Sequence, residues 1–233
     1  MTINYGRQHL DDKDFSHVLK ALRSRFITQG DYVKKFEESL KKKFLSKYSL
    51  STSSGTASLH LITKSLNLRN NDLVLVTALT FIATANSAIY EKCNVDLVDI
   101  ELDTGCISIR SLQQKIEKYK KIKKKIKAVY VTDYAGHPSD WKSLKKLKKK
   151  YKFYLICDNC HSFGSKIDNE INYATKYADA VSLSFHPVKH ITTGEGGAIL
   201  TNNKKIHSLS KLMRSHSIER SKKFLPWYYK INY

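Results

Sequence analysis

The chain has 233 residues, of which 41% are hydrophobic and 27% are charged, and its formal net charge is +20. This length and composition suffice for one substantial core and exclude a chain that is disordered throughout. No run of about 18 apolar residues is present, which excludes a hydrophobic membrane-spanning helix. The N-terminus lacks the basic-then-apolar pattern of a signal peptide, so we expect a cytoplasmic protein with no membrane partner.

Short apolar runs alternate with amphipathic stretches along most of the chain. We expect the first fifty residues to be mostly helical, with a turn at Gln29-Gly30. The apolar runs after them predict strands at 73–76, 95–100, 128–132, 154–157, 180–184 and 197–200, and the intervening segments predict helices at 56–67, 81–91, 111–124, 138–150 and 204–216. Strands separated by helices of this length predict an α/β fold with a mostly parallel sheet.

Two lysine-rich runs, at 118–127 and 142–150, carry much of the positive charge. Apolar residues recur at helical spacing in and beside these runs: Ile116, Tyr119, Ile122 and Ile126 with the first, and Trp141, Leu144 and Leu147 with the second. This spacing favours amphipathic helices with their lysines in water. Because interleaved arginines and aromatic residues are missing, we do not expect nucleic acid as a partner, and a basic nucleic-acid-binding protein is kept as an alternative.

Four cysteines are present, and Cys157 and Cys160 have the Cys-x-x-Cys spacing found in zinc and redox sites. No second such pair completes a four-ligand zinc site, and Cys157 ends an apolar run. We therefore predict free thiols in a reducing compartment and no metal, with a redox or metal role as the alternative.

The most distinctive segment is Ser-Phe-His-Pro-Val-Lys-His-Ile-Thr-Thr-Gly-Glu-Gly-Gly-Ala, at 184–198. Here Lys189 lies among small and aromatic residues, where partial desolvation of its amine favours the neutral, nucleophilic form. Such a lysine can form a Schiff base with an aldehyde cofactor. An ordinary loop lysine in a tight turn between two strands is the alternative.

Further candidate residues lie at strand ends and helix starts, where parallel sheets bind ligands. The segment Ser53-Ser54-Gly55-Thr56 can bind a phosphate at a helix start, or it is a simple N-cap. Asp158 can pair with a protonated pyridine nitrogen, as pyridoxal phosphate requires, and His161 can position that carboxylate or the ring. A capping Asp and a surface His are the alternative. Phe81 can stack on a planar ring, although alone it is better interpreted as a core residue.

Taken together, these segments resemble the DegT/DnrJ/EryC1/StrS family of pyridoxal-phosphate sugar aminotransferases. The resemblance rests on Tyr5-Gly6-Arg7-Gln8, Thr28-Gln29-Gly30, Ser53-Ser54-Gly55-Thr56-Ala57, Thr80-Phe81, Asp158, His161, Ser184-Phe185-His186-Pro187-Val188-Lys189 and Thr193-Gly194-Glu195-Gly196-Gly197. The His-Pro-Val-Lys form is most similar to the family's pseudaminic-acid branch. The resemblance implies an aspartate-aminotransferase-like, fold type I large domain at 31–233, incomplete at its C-terminus, after an N-terminal helical arm at 1–30. The family's small C-terminal domain would be absent.

The resemblance also implies roles for individual residues. Lys189 would hold the cofactor as a Schiff base and shuttle the proton, and Asp158 would keep the pyridine nitrogen protonated. Phe81 would stack on the ring with His161 beside it. The cofactor phosphate would be bound by Gly55, Thr56 and Ser184. The turn at 28–30 would lie near the nucleotide sugar, and Asn232 lies in a segment similar to one that reaches the partner subunit's phosphate in this family.

The implied reaction transfers an amino group from glutamate to C4 of a UDP-linked 4-keto-6-deoxy sugar, in pseudaminic-acid-type nucleotide-sugar biosynthesis, by a homodimer. The basic surface would attract these anionic substrates, an effect that salt would weaken. Dehydratase relatives carry histidine in place of the lysine, so Lys189 argues against dehydration. An inactive or regulatory truncated homologue is the remaining alternative.

Overall fold

A computed structural model of the protein describes residues 6–219 and 230–231, in which a seven-stranded sheet lies between two layers of helices. The sheet strands are β1 (Tyr48–Thr52), β2 (Leu73–Thr77), β3 (Asn94–Val98), β4 (Ile126–Thr132), β5 (Tyr154–Asp158), β6 (Ala180–Ser184) and β7 (Gly197–Thr201). The α-helices are α1 (Asp12–Leu22), α2 (Asp31–Lys43), α3 (Gly55–Ser65), α4 (Ile82–Tyr90), α5 (Ile109–Lys121), α6 (Trp141–Tyr151), α7 (Tyr173–Tyr177) and α8 (Lys204–Arg214). Two short strands, β8 (Ile218–Glu219) and β9 (Lys230–Ile231), pair separately.

The strand order is β1-β7-β6-β5-β4-β2-β3, and only β7 runs against the others. This confirms the predicted α/β fold with a mostly parallel sheet. It also gathers the carboxyl ends of six strands, and the start of β7, at one edge. The expectation of a mostly helical first fifty residues is wrong at its end, because β1 begins at Tyr48 and pairs with β7.

Alternate strand residues pack into two separate cores, as the two-residue period of a strand requires. In β2, Leu73 and Leu75 contact the layer formed by α2, α5, α6 and α7, whereas Val74 and Val76 contact α3, α4 and α8. Because both faces are covered, the central strands are continuous apolar runs, which is why the sequence pattern identified them.

The second lysine-rich run lies along α6, whereas the first covers only the last turn of α5, the turn after it and the start of β4. Trp141, Leu144 and Leu147 of α6 are buried as expected. In the first run the expected spacing holds only to Tyr119, because α5 ends at Lys121: Ile122 is 63% exposed and Ile126 begins β4. Both helices end next to the amino ends of β4 and β5, so their lysine-rich ends lie at the edge of the sheet opposite the carboxyl ends.

Helix α1 begins with a capping box formed by Asp11 and Asp14 and buries none of its residues. The chain then passes through Gln29, which has a positive φ of 53°, to α2. The described helices include none that is both long and apolar enough to cross a bilayer. A boundary between an arm and a large domain at residue 30 stays a prediction.

Candidate active site

A cavity of about 710 Å³ opens at the carboxyl edge of the sheet. Its lining includes all seven residues for which the sequence predicts a catalytic role or contact with this chain's own cofactor: Gly55, Thr56, Phe81, Asp158, His161, Ser184 and Lys189. These residues follow or end β1, β2, β5 and β6, so the parallel topology brings distant segments to one place. The volume is typical of a small-molecule site.

The start of α3 forms one end of this cavity. Ser54 caps the helix by accepting a hydrogen bond from the Ala57 N–H at 3.1 Å. The N–H groups of Gly55 and Thr56 belong to the first turn, which has no preceding helical carbonyl to bond, and they carry the positive end of the helix dipole. The segment is therefore an N-cap that also leaves donors for an anion.

Two glycines allow this helix start to lie where it does. A Cβ atom at Gly55 would stand 2.9 Å from Ser184 Cβ and 3.0 Å from Cys160 Sγ. A Cβ atom at Gly197, in β7, would overlap the backbone of Ser54 and Gly55. The absence of both side chains lets α3 rest directly on the sheet beside the Ser184 hydroxyl, which makes a cradle that fits a phosphate group.

Asp158 is the last residue of β5 and is 3% exposed. Its Oδ2 accepts a hydrogen bond from Thr84 Oγ1 at 2.6 Å, and its Oδ1 accepts one from the Cys160 N–H at 3.2 Å. The second bond closes a local turn, and because the next described helix begins only at Tyr173, Asp158 does not cap a helix. A carboxylate fixed through both oxygens at a cavity wall fits a cationic ring nitrogen.

A second buried carboxylate, Asp133, lies behind the Asp158–His161 segment and was not identified from the sequence. It accepts hydrogen bonds from Tyr173 Oη at 2.7 Å, the Ser139 N–H at 2.9 Å and Asn159 Nδ2 at 3.3 Å. Burial raises the pKa of Asp133, an effect that these donors oppose. The network fixes the residues that follow Asp158.

Lys189 lies in the loop between β6 and β7. The loop closes through hydrogen bonds from the Phe185 N–H to the Gly196 carbonyl at 2.8 Å and from the Thr193 N–H to the Phe185 carbonyl at 3.0 Å. The side chain is half-buried and lines the cavity. Burial and, after it, the positive charge of Lys189 lower the pKa of His161. The loop position agrees with the ordinary-turn interpretation, but the side chain enters the same cavity as Asp158.

The aromatic residues of the cavity differ in part from expectation. Phe81 is 65% exposed at the start of α4, so its interpretation as a core residue is wrong, because the helix cap holds it at the cavity mouth. His161 is half-buried and packs edge-on against Tyr134, with ring centroids 5.9 Å apart. A surface position for His161 is therefore wrong as well.

Leu79 and Tyr134 line the cavity but were missed by sequence reasoning, and four further lining residues were named from the sequence without a role in this site: Thr80, Cys160, His186 and Glu195. Tyr134 comes two residues after a predicted strand, so the strand-end rule that found Asp158 would also have found it. The turn at 28–30 is not among the described residues that line this cavity; Gly30 lines a separate apolar groove. Asn232 and Tyr5 lie outside the described residues.

The Cys-x-x-Cys thiols have different surroundings. Cys157 Sγ lies 3.8 Å from Asp133 Oδ2, whereas Cys160 Sγ lies 3.8 Å from Ser182 Oγ. Burial raises the pKa of both thiols well above the ordinary value, so they stay protonated. All four cysteines are free, and residues 6–219 and 230–231 contain no group of three or more metal-ligand side chains placed to hold an ion.

Comparison with known proteins adds to this geometry. Residues 8–231 match the DegT/DnrJ/EryC1/StrS aminotransferase family. The chain is 37% identical over 220 residues to a UDP-4-amino-4,6-dideoxy-N-acetyl-beta-L-altrosamine transaminase of Campylobacter jejuni, covering 94% of this chain and 57% of that protein. It is 30% identical over 217 residues to a GDP-4-keto-6-deoxy-D-mannose 3-dehydratase of Escherichia coli, covering 91% of this chain and 54% of the dehydratase.

A solved structure gives the same picture. The fold matches that of the Helicobacter pylori aminotransferase involved in the biosynthesis of pseudoaminic acid, with a TM-score of 0.90 and 29% identity. The match covers 100% of this chain and 60% of that one. The chain thus spans a little over half the length of the curated relatives it matches.

Proposed function

The chain belongs to the DegT/DnrJ/EryC1/StrS aminotransferase family, and we propose that it transfers an amino group from glutamate to C4 of a UDP-linked 4-keto-6-deoxy sugar, with pyridoxal 5'-phosphate as cofactor. The observation that carries the proposal is that Lys189, Asp158 and the start of α3 line one cavity. When bound, pyridoxal phosphate supplies an aldehyde that takes up the donor's amino group and a ring that withdraws electrons.

Gly55, Thr56 and Ser184 would hold the cofactor phosphate. The first N–H groups of α3 and two hydroxyls provide donors, and the helix dipole favours an anion there by about 0.3–1 kcal/mol, with more in a partly buried site. The contact distances around Gly55 support this role, because a side chain at that position would fill the cradle.

Asp158, Phe81 and His161 would hold the cofactor ring. Asp158 would accept the hydrogen bond of a protonated ring nitrogen, and Phe81 would offer an apolar face at the cavity mouth. The pKa of His161 is lowered by burial and by Lys189, so its imidazole is neutral near pH 7. A neutral His161 does not compete electrostatically with a cationic ring nitrogen for Asp158.

Lys189 would bind the cofactor aldehyde and then hold and move the proton at the donor carbon. Its loop is closed at the base by backbone hydrogen bonds, and its amine is on a flexible four-carbon chain. A general base has to come within hydrogen-bond distance of the proton that it abstracts. A fixed backbone position places the amine near the reacting carbon, and the flexible side chain lets it approach that carbon closely. No other described lysine lines this cavity.

The named relatives support the proposed substrate class. The transaminase of Campylobacter jejuni supports a UDP-linked amino-sugar product, and the aminotransferase of Helicobacter pylori supports a pseudaminic-acid-type route. The homodimer is proposed from the family resemblance alone. The similarity to a 3-dehydratase raises dehydration as a second candidate. Lys189 favours transamination, because the dehydratase relatives are expected to have histidine there.

The test is direct labelling of the lysine. Adding pyridoxal phosphate is expected to give a visible absorbance band, and borohydride reduction with peptide mapping is expected to place a pyridoxyl group on Lys189. Lys189→Ala should abolish the band, whereas Lys146→Ala, at an exposed position on α6, should retain it. Unreduced protein with bound pyridoxal phosphate should release 2-oxoglutarate from glutamate and aminate the keto sugar, as followed by mass spectrometry, whereas the borohydride-reduced protein should do neither.

A label on another residue, or no label, would contradict the proposal. Retention on heparin above physiological salt, without an absorbance band, would favour the nucleic-acid-binding alternative instead.

A further inference from the structure

Three threonine hydroxyls form a continuous chain of hydrogen bonds that ends on Asp158. Thr132 Oγ1 lies 2.6 Å from Thr80 Oγ1, Thr80 Oγ1 lies 2.8 Å from Thr84 Oγ1, and Thr84 Oγ1 lies 2.6 Å from Asp158 Oδ2. Thr132 ends β4, Thr80 lies between β2 and α4, and Thr84 is in the first turn of α4. Thr84 and Thr132 are buried and Thr80 is half-buried.

Counting protons fixes the direction of this chain. Each hydroxyl has one proton to donate, and an ionised carboxylate only accepts. Thr84 gives its proton to Asp158, so the bond between Thr84 and Thr80 has to use the proton of Thr80. The bond between Thr80 and Thr132 then has to use the proton of Thr132. All three dipoles therefore point toward the carboxylate.

We infer that Thr132, Thr80 and Thr84 are positioning residues that hold Asp158 as an acceptor for the cofactor's ring nitrogen. The inference rests on the proposed function. Thr84 holds Oδ2 while the Cys160 N–H holds Oδ1, so rotation of the carboxylate would break a bond at either oxygen. Hydrogen bonds aligned in series also polarise one another, which strengthens the bond to Asp158.

The hydrogen bonds of these three threonines differ from those of other buried threonines in this protein. The hydroxyls of Thr175 and Thr201 donate to backbone carbonyls, and Thr77 does so as well. Thr63, also buried, contacts the hydroxyls of Ser87 and Tyr130 as well as a backbone carbonyl. What sets Thr132, Thr80 and Thr84 apart is that their hydrogen bonds run from hydroxyl to hydroxyl and end on a carboxylate at the cavity wall. Thr80 and Thr132 also line the cavity itself, so a bound ring would lie next to the chain.

The test removes one hydroxyl at nearly constant shape. Thr84→Val is expected to weaken pyridoxal phosphate binding about tenfold, the loss of one hydrogen bond to a charged group, while Thr84→Ser binds nearly as the parent does. The pH midpoint of the cofactor's visible band should also rise in Thr84→Val, because a ring nitrogen that holds its proton less firmly withdraws less charge from the bond to Lys189. Thr175→Val is the matched control, since it removes a buried hydroxyl that is not among the residues lining the cavity, and should change neither value.

The direction of the hydrogen bonds leads to a second, independent prediction. Thr80→Val should weaken binding by only about twofold, since it acts through Thr84. The double variant should bind no more weakly than Thr84→Val alone, because Thr80 reaches Asp158 only through Thr84. Thr80 is only half-buried, so Thr80→Val is less disruptive to folding than Thr84→Val and can be used for the test if Thr84→Val does not fold.

The outcomes separate the two proposals. A parent chain that gives no visible band overturns the proposed function and this inference together. A parent that labels at Lys189, with Thr84→Val unchanged in affinity and band, overturns the inference alone. Additive losses in the double variant would also overturn it.

Discussion

The phenol of Tyr173 lies 2.7 Å from Oδ2 of Asp133, and both side chains are buried. The same carboxylate accepts hydrogen bonds from the Trp141 indole at 3.1 Å and from the Asn159 amide at 3.3 Å. One carboxyl group therefore joins α7, the start of α6 and the segment that follows Asp158. The geometry of the candidate active site depends on a network on the opposite face of the sheet from the α3 helix.

Tyr173→Phe should be markedly destabilising. The change removes one donor and leaves a buried carboxylate partly unsatisfied, so the free energy of unfolding should fall by about 2 kcal/mol in urea titrations. Tyr151→Phe is the matched control, because its hydroxyl bonds the exposed Glu117, and it should change stability by less than about 0.5 kcal/mol. Equal losses in the two variants would show that the Asp133 network does not matter.

Gly55→Ala should lower cofactor affinity as well as stability. The new methyl group would stand 2.9 Å from Ser184 Cβ, so the start of α3 has to move, at a stability cost of about 1–3 kcal/mol. Gly6→Ala is the control, since its nearest neighbour, Val188 Cβ, would be 3.7 Å away. Calorimetry of pyridoxal phosphate binding checks the effect. An unchanged affinity in Gly55→Ala would contradict a role for this glycine in binding the phosphate.

Asp96 should stabilise the fold only above acidic pH. Burial acts to raise its pKa, but hydrogen bonds from Lys115 at 2.6 Å and Tyr119 at 2.8 Å prevail and lower it. A lowered carboxyl pKa gives stability that is present above the unfolded value of about 4 and is lost as the pH falls through the folded value. Asp96→Asn should therefore cost about 1 kcal/mol near pH 7 and almost nothing near pH 2, as urea titrations at both values would measure. A difference that is constant with pH would contradict this.

His161 should destabilise the fold at acidic pH, whereas an ion-paired histidine would stabilise it. Its pKa is lowered by burial, Lys189 and His190, although Asp158 opposes this. The unfolded chain then binds the proton more readily, so the protein should lose stability as the pH falls below the unfolded value of about 6.5. His161→Gln should consequently gain stability relative to the parent between about pH 8 and pH 5. Thermal unfolding at the two pH values checks this, and a relative loss at low pH would indicate that the histidine is charged in the fold.

The sequence pattern predicted the central strands because both faces of the sheet are covered. The run at 154–157 is continuous and apolar, so the polar Asp158 after it marked a strand end at the cavity. Strand β1 was missed because Tyr48-Ser-Leu-Ser-Thr carries few apolar residues, and its pairing with β7 cannot be deduced from local pattern. A helix was not expected at α7 because it has only five residues.

The sequence predicted those parts of the site in which a single residue type carries the chemistry. It did not predict the parts that depend on hydrogen bonds between residues distant in the sequence. Lys189 is distinctive because its neighbours are unusual for a lysine in this chain. The hydroxyl chain of Thr132, Thr80 and Thr84 depends on how a strand, a loop and a helix meet, and each threonine alone is ordinary. Asp133 directly follows a predicted strand, so its position could have been found as that of Asp158 was, but its donors come from α6, α7 and the loop after β5 and could not be predicted.

The lysine-rich ends of α5 and α6 lie at the sheet edge remote from the cavity. These two clusters of positive charge and the cavity therefore lie at opposite edges of the sheet. A sulfonated resin that binds the protein through these two helix ends would leave the cavity mouth open to cofactor. Gentle ion-exchange immobilisation should therefore preserve access to Lys189, while coupling chemistry that consumes amines at random would not.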